Sequence, residues 1–311
     1  MVKWLKAIGQ IAFSKPMACV IQVTEKCNLK CLMCGYWKAP NRNELSLHDF
    51  EVIRDRLKDL KICVVSLSGG EPFIRRDFID IVDIFRNDFY TCVTTNGTLL
   101  TNDVCSNLKS DSCFVSIDSD IPMVHDEIRG VKGSWDRAIN GLNNLRDNYK
   151  GVCGIMCVVS KLNFPSGVEG LINLAKSLNV HIHFQPYCPI KTGVDITPYR
   201  NEPLNISDFL MEKRKKHKFI VSSKPYLKQF DAAFKGGVKN CLAGQVFFDI
   251  QANGEITRCP DDRTKFGDIR NFPNFPLKKT DCECCWYSCR GEIESFYKWK
   301  FSKLLSMERL I

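Results

Sequence analysis

Six short β-branched or apolar runs recur along the chain: CVIQV (19–23), CVVSLS (63–68), YTCVTT (90–95), CFVSI (113–117), GIMCVV (154–159) and HIHFQ (181–185). Helical periodicity separates them. SLHDFEVIRDRLKDL (46–60) opens on Ser46 as an N-cap, and RDFIDIVDIF, SWDRAINGLNNL and GVEGLINLAKSL repeat apolar residues three and four apart. Strands alternating with helices join by right-handed crossovers into a parallel sheet. Six βα units are too few to close an eight-stranded barrel. The expectation is therefore an α/β fold, an open, partial (βα)6 TIM-like barrel with its functional loops at the C-terminal strand ends.

Beyond residue 190 the pattern changes. A Pro- and Asn-rich stretch, TGVDITPYRNEPLN, leads to two helical stretches (206–218 and 224–235), and from Cys241 a small cysteine-rich α+β annex begins. Within it QVFFDIQANGEITRC reads as a hairpin around an Asn-Gly turn. The expected divisions are an amphipathic segment (1–18), the barrel (19–190), a helical connection (191–240) and the annex with a C-terminal helix (241–311). A chain of 311 residues has room for this. No apolar run approaches the ~18 residues of a membrane span. MVKWLKAIGQIAF has no small-residue cleavage site and reads as an amphipathic helix, so cytoplasmic residence is expected.

Seventeen cysteines demand either disulfides or metal. The lack of a secretory signal favours metal. Cys19, Cys63, Cys92, Cys113, Cys153 and Cys157 lie in or beside strand-like runs, where a thiol serves as a small hydrophobe. The stretch TEKCNLKCLMCGYW (24–37) is different: Cys27, Cys31 and Cys34 follow the first strand directly, with no fourth Cys or His nearby. A structural zinc site wants four ligands. A [4Fe–4S] cluster held by three thiolates leaves one iron open to an exogenous ligand.

CNLKCLMC resembles the cluster motif of the radical S-adenosylmethionine (radical SAM) superfamily. SGGEP (68–72) resembles the segment with which that family holds the methionine amino group, which implicates Gly69, Gly70, Glu71 and Pro72. Met33 stands where the family usually has an aromatic residue. TTNGTLL (94–100), SIDSD (116–120) and HDEIRGVKGSW (125–135) resemble the segments that follow. The resemblance implies a [4Fe–4S] cluster with one open iron, S-adenosylmethionine as cofactor, and cofactor or substrate contacts from Asn96, Ser116 and Asp118. Local readings stand beside these: Asn96-Gly97 is a turn signal and Asp118 a helix cap. Ser160 and Asn163 are candidates for the ribose side, and Tyr187 of FQPY for the adenine or the substrate. The implied reaction is reductive: an electron from the cluster breaks a C–S bond of the sulfonium, giving methionine and a 5′-deoxyadenosyl radical that abstracts hydrogen. Reduced flavodoxin or ferredoxin is the implied donor.

The annex cysteines are Cys241, Cys259, Cys282, Cys284, Cys285 and Cys289. Their arrangement resembles the twitch or SPASM type of extension, which carries auxiliary iron–sulfur clusters. Two such clusters need eight thiolates, so one auxiliary [4Fe–4S] cluster is expected, on Cys241, Cys259, Cys282 and Cys285, with Cys289 or Cys284 as alternates. The same four thiolates also suit zinc. An auxiliary cluster accepts an electron from a substrate radical, which fits an oxidation, a dehydrogenation or a crosslink. Asp261 in CPDD would take the accompanying proton; a surface aspartate beside a hairpin is the plainer reading. The competing class is a non-catalytic iron–sulfur or zinc protein, which leaves SGGEP unexplained.

The substrate class stays open between a small molecule, a peptide and a lipid-linked molecule. With 26 residues ahead of Cys27, no fused leader-peptide-binding domain is expected. The formal charge of +9 falls to roughly +6 once both clusters are bound as thiolates. The run KRKKHK (213–218) reads as a solvated helix face and not as a nucleic-acid site. MVKWLKAIGQIAF and ESFYKWKFSKLLSMERLI place Trp4 and Trp299 among lysines, which suits peripheral membrane contact. Packing of both helices on the barrel is the simpler alternative.

Overall fold

The computed structural model describes residues 16–38, 43–188, 205–262, 264–271, 277 and 280–298. The six expected strands form a parallel array: β1 (Ala18–Thr24), β2 (Val64–Gly69), β3 (Tyr90–Thr95), β4 (Ser112–Ser116), β5 (Val152–Val159) and β6 (His181–Pro186). Four helices fall where periodicity placed them: α1 (Leu47–Asp59), α2 (Phe78–Phe85), α5 (Ser134–Asn148) and α6 (Ser166–Leu178). Two short ones were not foreseen, α3 (Asn102–Asn107) and α4 (Pro122–Arg129). Ser46 caps α1 through a capping box with Asp49, so two of the helix's first N–H groups find acceptors.

Alternation along each strand decides what the sheet encloses. Cys19, Ile21 and Val23 of β1, Val65 and Leu67 of β2, and Ile182 and Phe184 of β6 join the main core. Their neighbours Gln22, Ser66, Ser68, Thr94, Ser116 and Gln185 line an internal cavity. Because successive side chains on a strand point to opposite faces, the apolar set packs on the helices and the polar set faces inward.

The second part of the chain continues this sheet. β7 (Phe247–Ile250) pairs parallel with β1, from Ala18 against Phe247 to Ile21 against Ile250. β8 (Ile256–Thr257) returns antiparallel beside β7, closing the expected hairpin. The strand order is thus β6-β5-β4-β3-β2-β1-β7-β8, an open and mostly parallel sheet. The predicted helix over 206–218 ends at Lys216 as α7 (Ile206–Lys216). The stretch 224–235 divides into α8 (Lys224–Leu227) and α9 (Phe230–Lys235). In α7, Arg214 is buried and donates to the Ser222 carbonyl at 2.7 Å, so KRKKHK is only in part a solvated face.

The last described helix, α10 (Ser288–Lys298), links the edge strand β6 to the segment just ahead of β7. Its Glu292 meets His183 of β6 at 3.1 Å, and its Glu294 accepts from the backbone N–H of Leu242 at 2.7 Å. Among the described residues no helix is long and apolar enough to cross a membrane. The segment 1–13, nearly all of TGVDITPYRNEPLN and the chain from Trp299 onward lie outside the described residues, and the expected amphipathic termini with them.

Candidate functional site

The cysteine loop after β1 is pinned from three sides. Gly70 N donates to Thr24 O at 2.8 Å and Glu71 N to Lys26 O at 2.8 Å. From the other flank Lys30 N donates to Arg129 O at 3.1 Å and Leu32 N to Ile128 O at 3.0 Å. Asn28 within the loop accepts from Asn96 Nδ2 at 2.7 Å and donates to Thr98 Oγ1 at 2.9 Å. The two glycines of SGGEP are dictated first by this closeness. Gly69 sits at φ +136°, and a Cβ on Gly70 would stand 2.1 Å from Lys26 O, a separation no side chain tolerates.

Above the strand ends lies a cavity of about 250 Å³. It brings together Cys27, Cys31 and Cys34 with Gly69, Gly70, Asn96, Ser116 and Tyr187. The remaining cofactor-side candidates stand behind its wall and brace it. Glu71 is fully buried and accepts from Asn96 N and Thr95 Oγ1 at 2.7 Å each and from Phe73 N at 3.1 Å. Burial pushes its carboxyl up against these donors. Pro72 is a buried first residue of a short 3-10 turn, Pro72–Ile74. Asn163 donates to the carbonyls of Asp118 and Val158 at 2.8 Å each and accepts from Ser160 N at 2.8 Å. Its amide is thus occupied in tying β4 to β5, and Ser160 is the other end of that tie. Asn96 lines the cavity, yet its amide is likewise committed, to Asn28 and Thr98. In the folded chain these side chains brace the loops that line the cavity.

Asp118 is buried and reaches the site through another residue. Its Oδ2 lies 2.7 Å from Arg129 Nη2, while its Oδ1 accepts from Val158 N at 2.9 Å. Arg129, half of whose fork is thereby held, turns Nη1 to Cys31 Sγ at 3.9 Å. Burial opposes its charge, but Asp118 and Cys31 outweigh that, and the guanidinium stays protonated. Burial also pushes the Cys27 thiol up to about 11 and raises Cys31. Thiols so placed ionise only beside a bound cation. Three of them on one cavity wall, with a fixed positive charge behind one, fit an iron–sulfur cluster held by three thiolates. Among the described residues no three Cys, His, Asp or Glu side chains converge as ligands of one metal ion.

The C-terminal segment contributes Pro260, Tyr287, Ser288 and Cys289 to the lining of the same cavity, together with Cys188 from the end of β6. Asp261 does not line the cavity; it hydrogen-bonds Tyr287, which does. Of the annex thiols, Cys285 lies within electrostatic reach of Cys259 and Cys289, and Cys241 of Cys282. Cys284 hydrogen-bonds Cys282 and is exposed. Arg290, 1% exposed, is close enough to feel both Cys241 and Cys285. Burial pushes Cys241 up to about 11 and raises Cys259 and Cys285 further. None of the 17 cysteines forms a disulfide.

Among the residues of this site that escaped the sequence reading are Arg129, Gln22, Gln185 and Tyr287. Gln22 and Gln185 each break an otherwise apolar strand run at an alternate position, which is the signal that marks a lumen-facing side chain. Arg129 sits in HDEIRG, but nothing local announces that it is buried.

Comparison with known proteins agrees with this geometry. Residues 21–173 match the Radical SAM superfamily. Mycofactocin maturase MftC of Mycobacterium ulcerans is 25% identical over 89% of this chain and 82% of its own length; the chain spans 64% of the protein of that name from Mycobacterium tuberculosis. The AdoMet-dependent heme synthase of Methanosarcina barkeri is 25% identical over 81% of this chain and 79% of its own. Among solved structures, Streptococcus suis SuiB bound to S-adenosylmethionine matches with a TM-score of 0.67 at 21% identity, covering 96% of this chain and 72% of that one. SuiB bound to precursor peptide SuiA gives 0.66 at 20% identity over 96% and 70%. At that identity the likeness is one of fold. With the family match placed over the cysteine loop, SGGEP and the strands that carry them, the chain belongs to the Radical SAM superfamily.

Proposed function

We propose that this radical SAM enzyme oxidises or crosslinks a residue of a peptide substrate held between the three-cysteine site and an auxiliary [4Fe–4S] cluster in the C-terminal segment. One observation carries the reading: a single cavity is lined both by Cys27, Cys31 and Cys34 and by Pro260, Tyr287, Ser288 and Cys289. A substrate there is within reach of both parts of the chain.

When bound at Cys27, Cys31 and Cys34, the cluster and S-adenosylmethionine supply the electron and the carbon radical of the family's chemistry. The chain's own residues do the rest. Arg129 keeps a positive charge behind Cys31, and Gly69 and Gly70 bring the second strand's turn against the loop. Tyr287 and its partner Asp261 stand at the annex wall, where Asp261 takes up the proton that an oxidation releases. Reduced flavodoxin or ferredoxin remains the proposed electron donor.

Two similar proteins point to different molecules, a precursor peptide bound by SuiB and a heme formed by the Methanosarcina barkeri protein. The peptide is the better supported: SuiB, similar over 96% of this chain, was solved with a precursor peptide, and the amide and hydroxyl groups of Gln22, Ser66, Ser116 and Gln185 in the cavity lining suit a polar backbone.

Anaerobic reconstitution tests the reading. The wild-type chain is expected to bind about eight irons, form 5′-deoxyadenosine under reduction, and change the mass of a peptide substrate supplied to it. Replacing Cys27, Cys31 and Cys34 together by Ala should abolish 5′-deoxyadenosine. Turnover that survives this triple change, or a full complement of only four irons, would remove the proposal's first or second half respectively.

A further inference from the structure

Two glutamines of the cavity floor have their amides set in opposite senses. Gln22 of β1 is 2% exposed and lines the cavity. Its Nε2 donates to Asp249 Oδ1 at 2.7 Å, and Asp249 takes the amide of Gln251 on its other oxygen. A carboxylate that accepts at both oxygens leaves room only for donors, so the Gln22 nitrogen is committed and its oxygen faces away. That oxygen, Oε1, has no hydrogen-bond partner among the described residues.

Gln185 of β6 lines the same cavity with the reverse assignment. Its Oε1 accepts from Ser288 N and Ser288 Oγ at 3.1 Å each. A backbone N–H only donates, so this amide is locked with its oxygen toward α10 and its Nε2 toward the lumen. Both locks come from the C-terminal segment: Asp249 from β7, Ser288 from the first turn of α10.

We propose that Gln22 is a specificity-determining residue whose Oε1 accepts a hydrogen bond from an amide N–H of the substrate, with Gln185 Nε2 as the complementary donor to a carbonyl. The inference rests on the peptide reading above and deepens it. The lumen is thereby matched to a secondary amide, a donor beside an acceptor, and the annex determines that match without touching the substrate at either point. A buried acceptor left unpaired penalises any ligand that lacks the donor, and a factor of about ten in affinity is the expected scale.

The test uses the reconstituted holoenzyme loaded with S-adenosylmethionine. Its probes are N-acetyl-alanyl-alanine methylamide and the depsipeptide analogues in which each N–H in turn is replaced by an ester oxygen. Binding is read by ligand-observed NMR. In the wild type one of the replacements should weaken binding about tenfold, and Gln22→Leu should erase the difference between that analogue and the parent amide. Asp249→Asn, which offers Gln22 a donor and frees its amide to turn over, should narrow the difference with Gln22 intact. Equal binding of amide and esters by the wild type overturns the inference and leaves the peptide reading standing. Binding of none of the probes by an enzyme that still cleaves S-adenosylmethionine overturns the peptide reading and the inference with it. A loss of S-adenosylmethionine affinity in Gln22→Leu, equal to its loss for the amide, assigns Gln22 to the cofactor and likewise overturns the inference. Should Gln22→Leu not fold, the wild-type comparison and Asp249→Asn decide.

Discussion

Arg129 and Asp118 form a buried ion pair 2.7 Å apart, directly behind the second cysteine of the cluster loop. The pair joins α4 to the end of β4, so the loop's position and the charge behind it depend on one contact. Arg129→Met strands a buried carboxylate and should cost about 3–5 kcal/mol in urea unfolding. Asp118→Asn in the same background should recover part of this, because the uncompensated charge is then gone. A double-mutant cycle measures it; additive losses would mean that the two side chains act independently.

Gly70→Ala places a methyl group 2.1 Å from Lys26 O, whereas a Cβ on Gly236 meets nothing within 4 Å. The first change should displace the base of the cysteine loop, destabilise by about 1–3 kcal/mol and lower 5′-deoxyadenosine formation at least tenfold. Gly236→Ala serves as the control and should alter neither. Circular dichroism melts and anaerobic turnover of both variants check this.

Burial, and after it the charge of Arg129, pull His125 down to about 3, against the opposite influence of Asp126. The folded value lies below the ordinary 6.5, so on acidification the unfolded chain takes the proton first. Its contribution to stability is complete above about pH 6.5 and is lost progressively between about 6.5 and 3, by up to about 1.4 kcal/mol per pH unit. Burial raises Glu71 and Asp118 above their ordinary values, and they work in the opposite direction. Comparing urea midpoints of the wild type and His125→Asn from pH 7.5 to 5 isolates the histidine: the wild type should fall more steeply.

If Cys241, Cys259, Cys282 and Cys285 hold the auxiliary cluster, Cys241→Ser or Cys282→Ser should lower the iron content from about eight to about four per chain. Cys289→Ser, which alters a cavity-lining thiol, should keep the iron and affect peptide turnover instead. Iron and sulfide analysis of the three variants distinguishes this set from one in which Cys289 replaces a member.

Much of the architecture was readable in the linear chain because it follows from local periodicity. The strand runs CVIQV and GIMCVV, the cap at Ser46 and the Asn253-Gly254 turn each declare themselves within a few residues. The cysteine spacing and SGGEP were legible for the same reason. What escaped is long-range. Gln22 reads as one polar letter in an apolar strand until β7 brings Asp249 beside it, 227 positions away. Arg129 reads as an ordinary surface cation of an acidic and basic stretch until α4 folds it onto Asp118.

The expected roles of Glu71, Asn96, Ser160 and Asn163 illustrate the same limit. Residue type says that each has hydrogen-bonding capacity; it does not say where that capacity is spent. In the folded chain backbone N–H and C=O groups of neighbouring strand ends take nearly all of it, because buried polar groups of a loop must find partners. The side chains left with capacity toward the cavity are others.

By itself, then, the sequence determined the βα order, the three-thiol loop and the glycines beside it, since these depend on neighbours along the chain. The tertiary structure alone decided that the C-terminal segment extends the sheet at β1, that it lines the same cavity as the cysteine loop, and that it orients Gln22 and Gln185. The physical reason is that an amide's donor and acceptor ends are interchangeable until a second group commits one of them. Those second groups, Asp249 and Ser288, come from the far end of the chain.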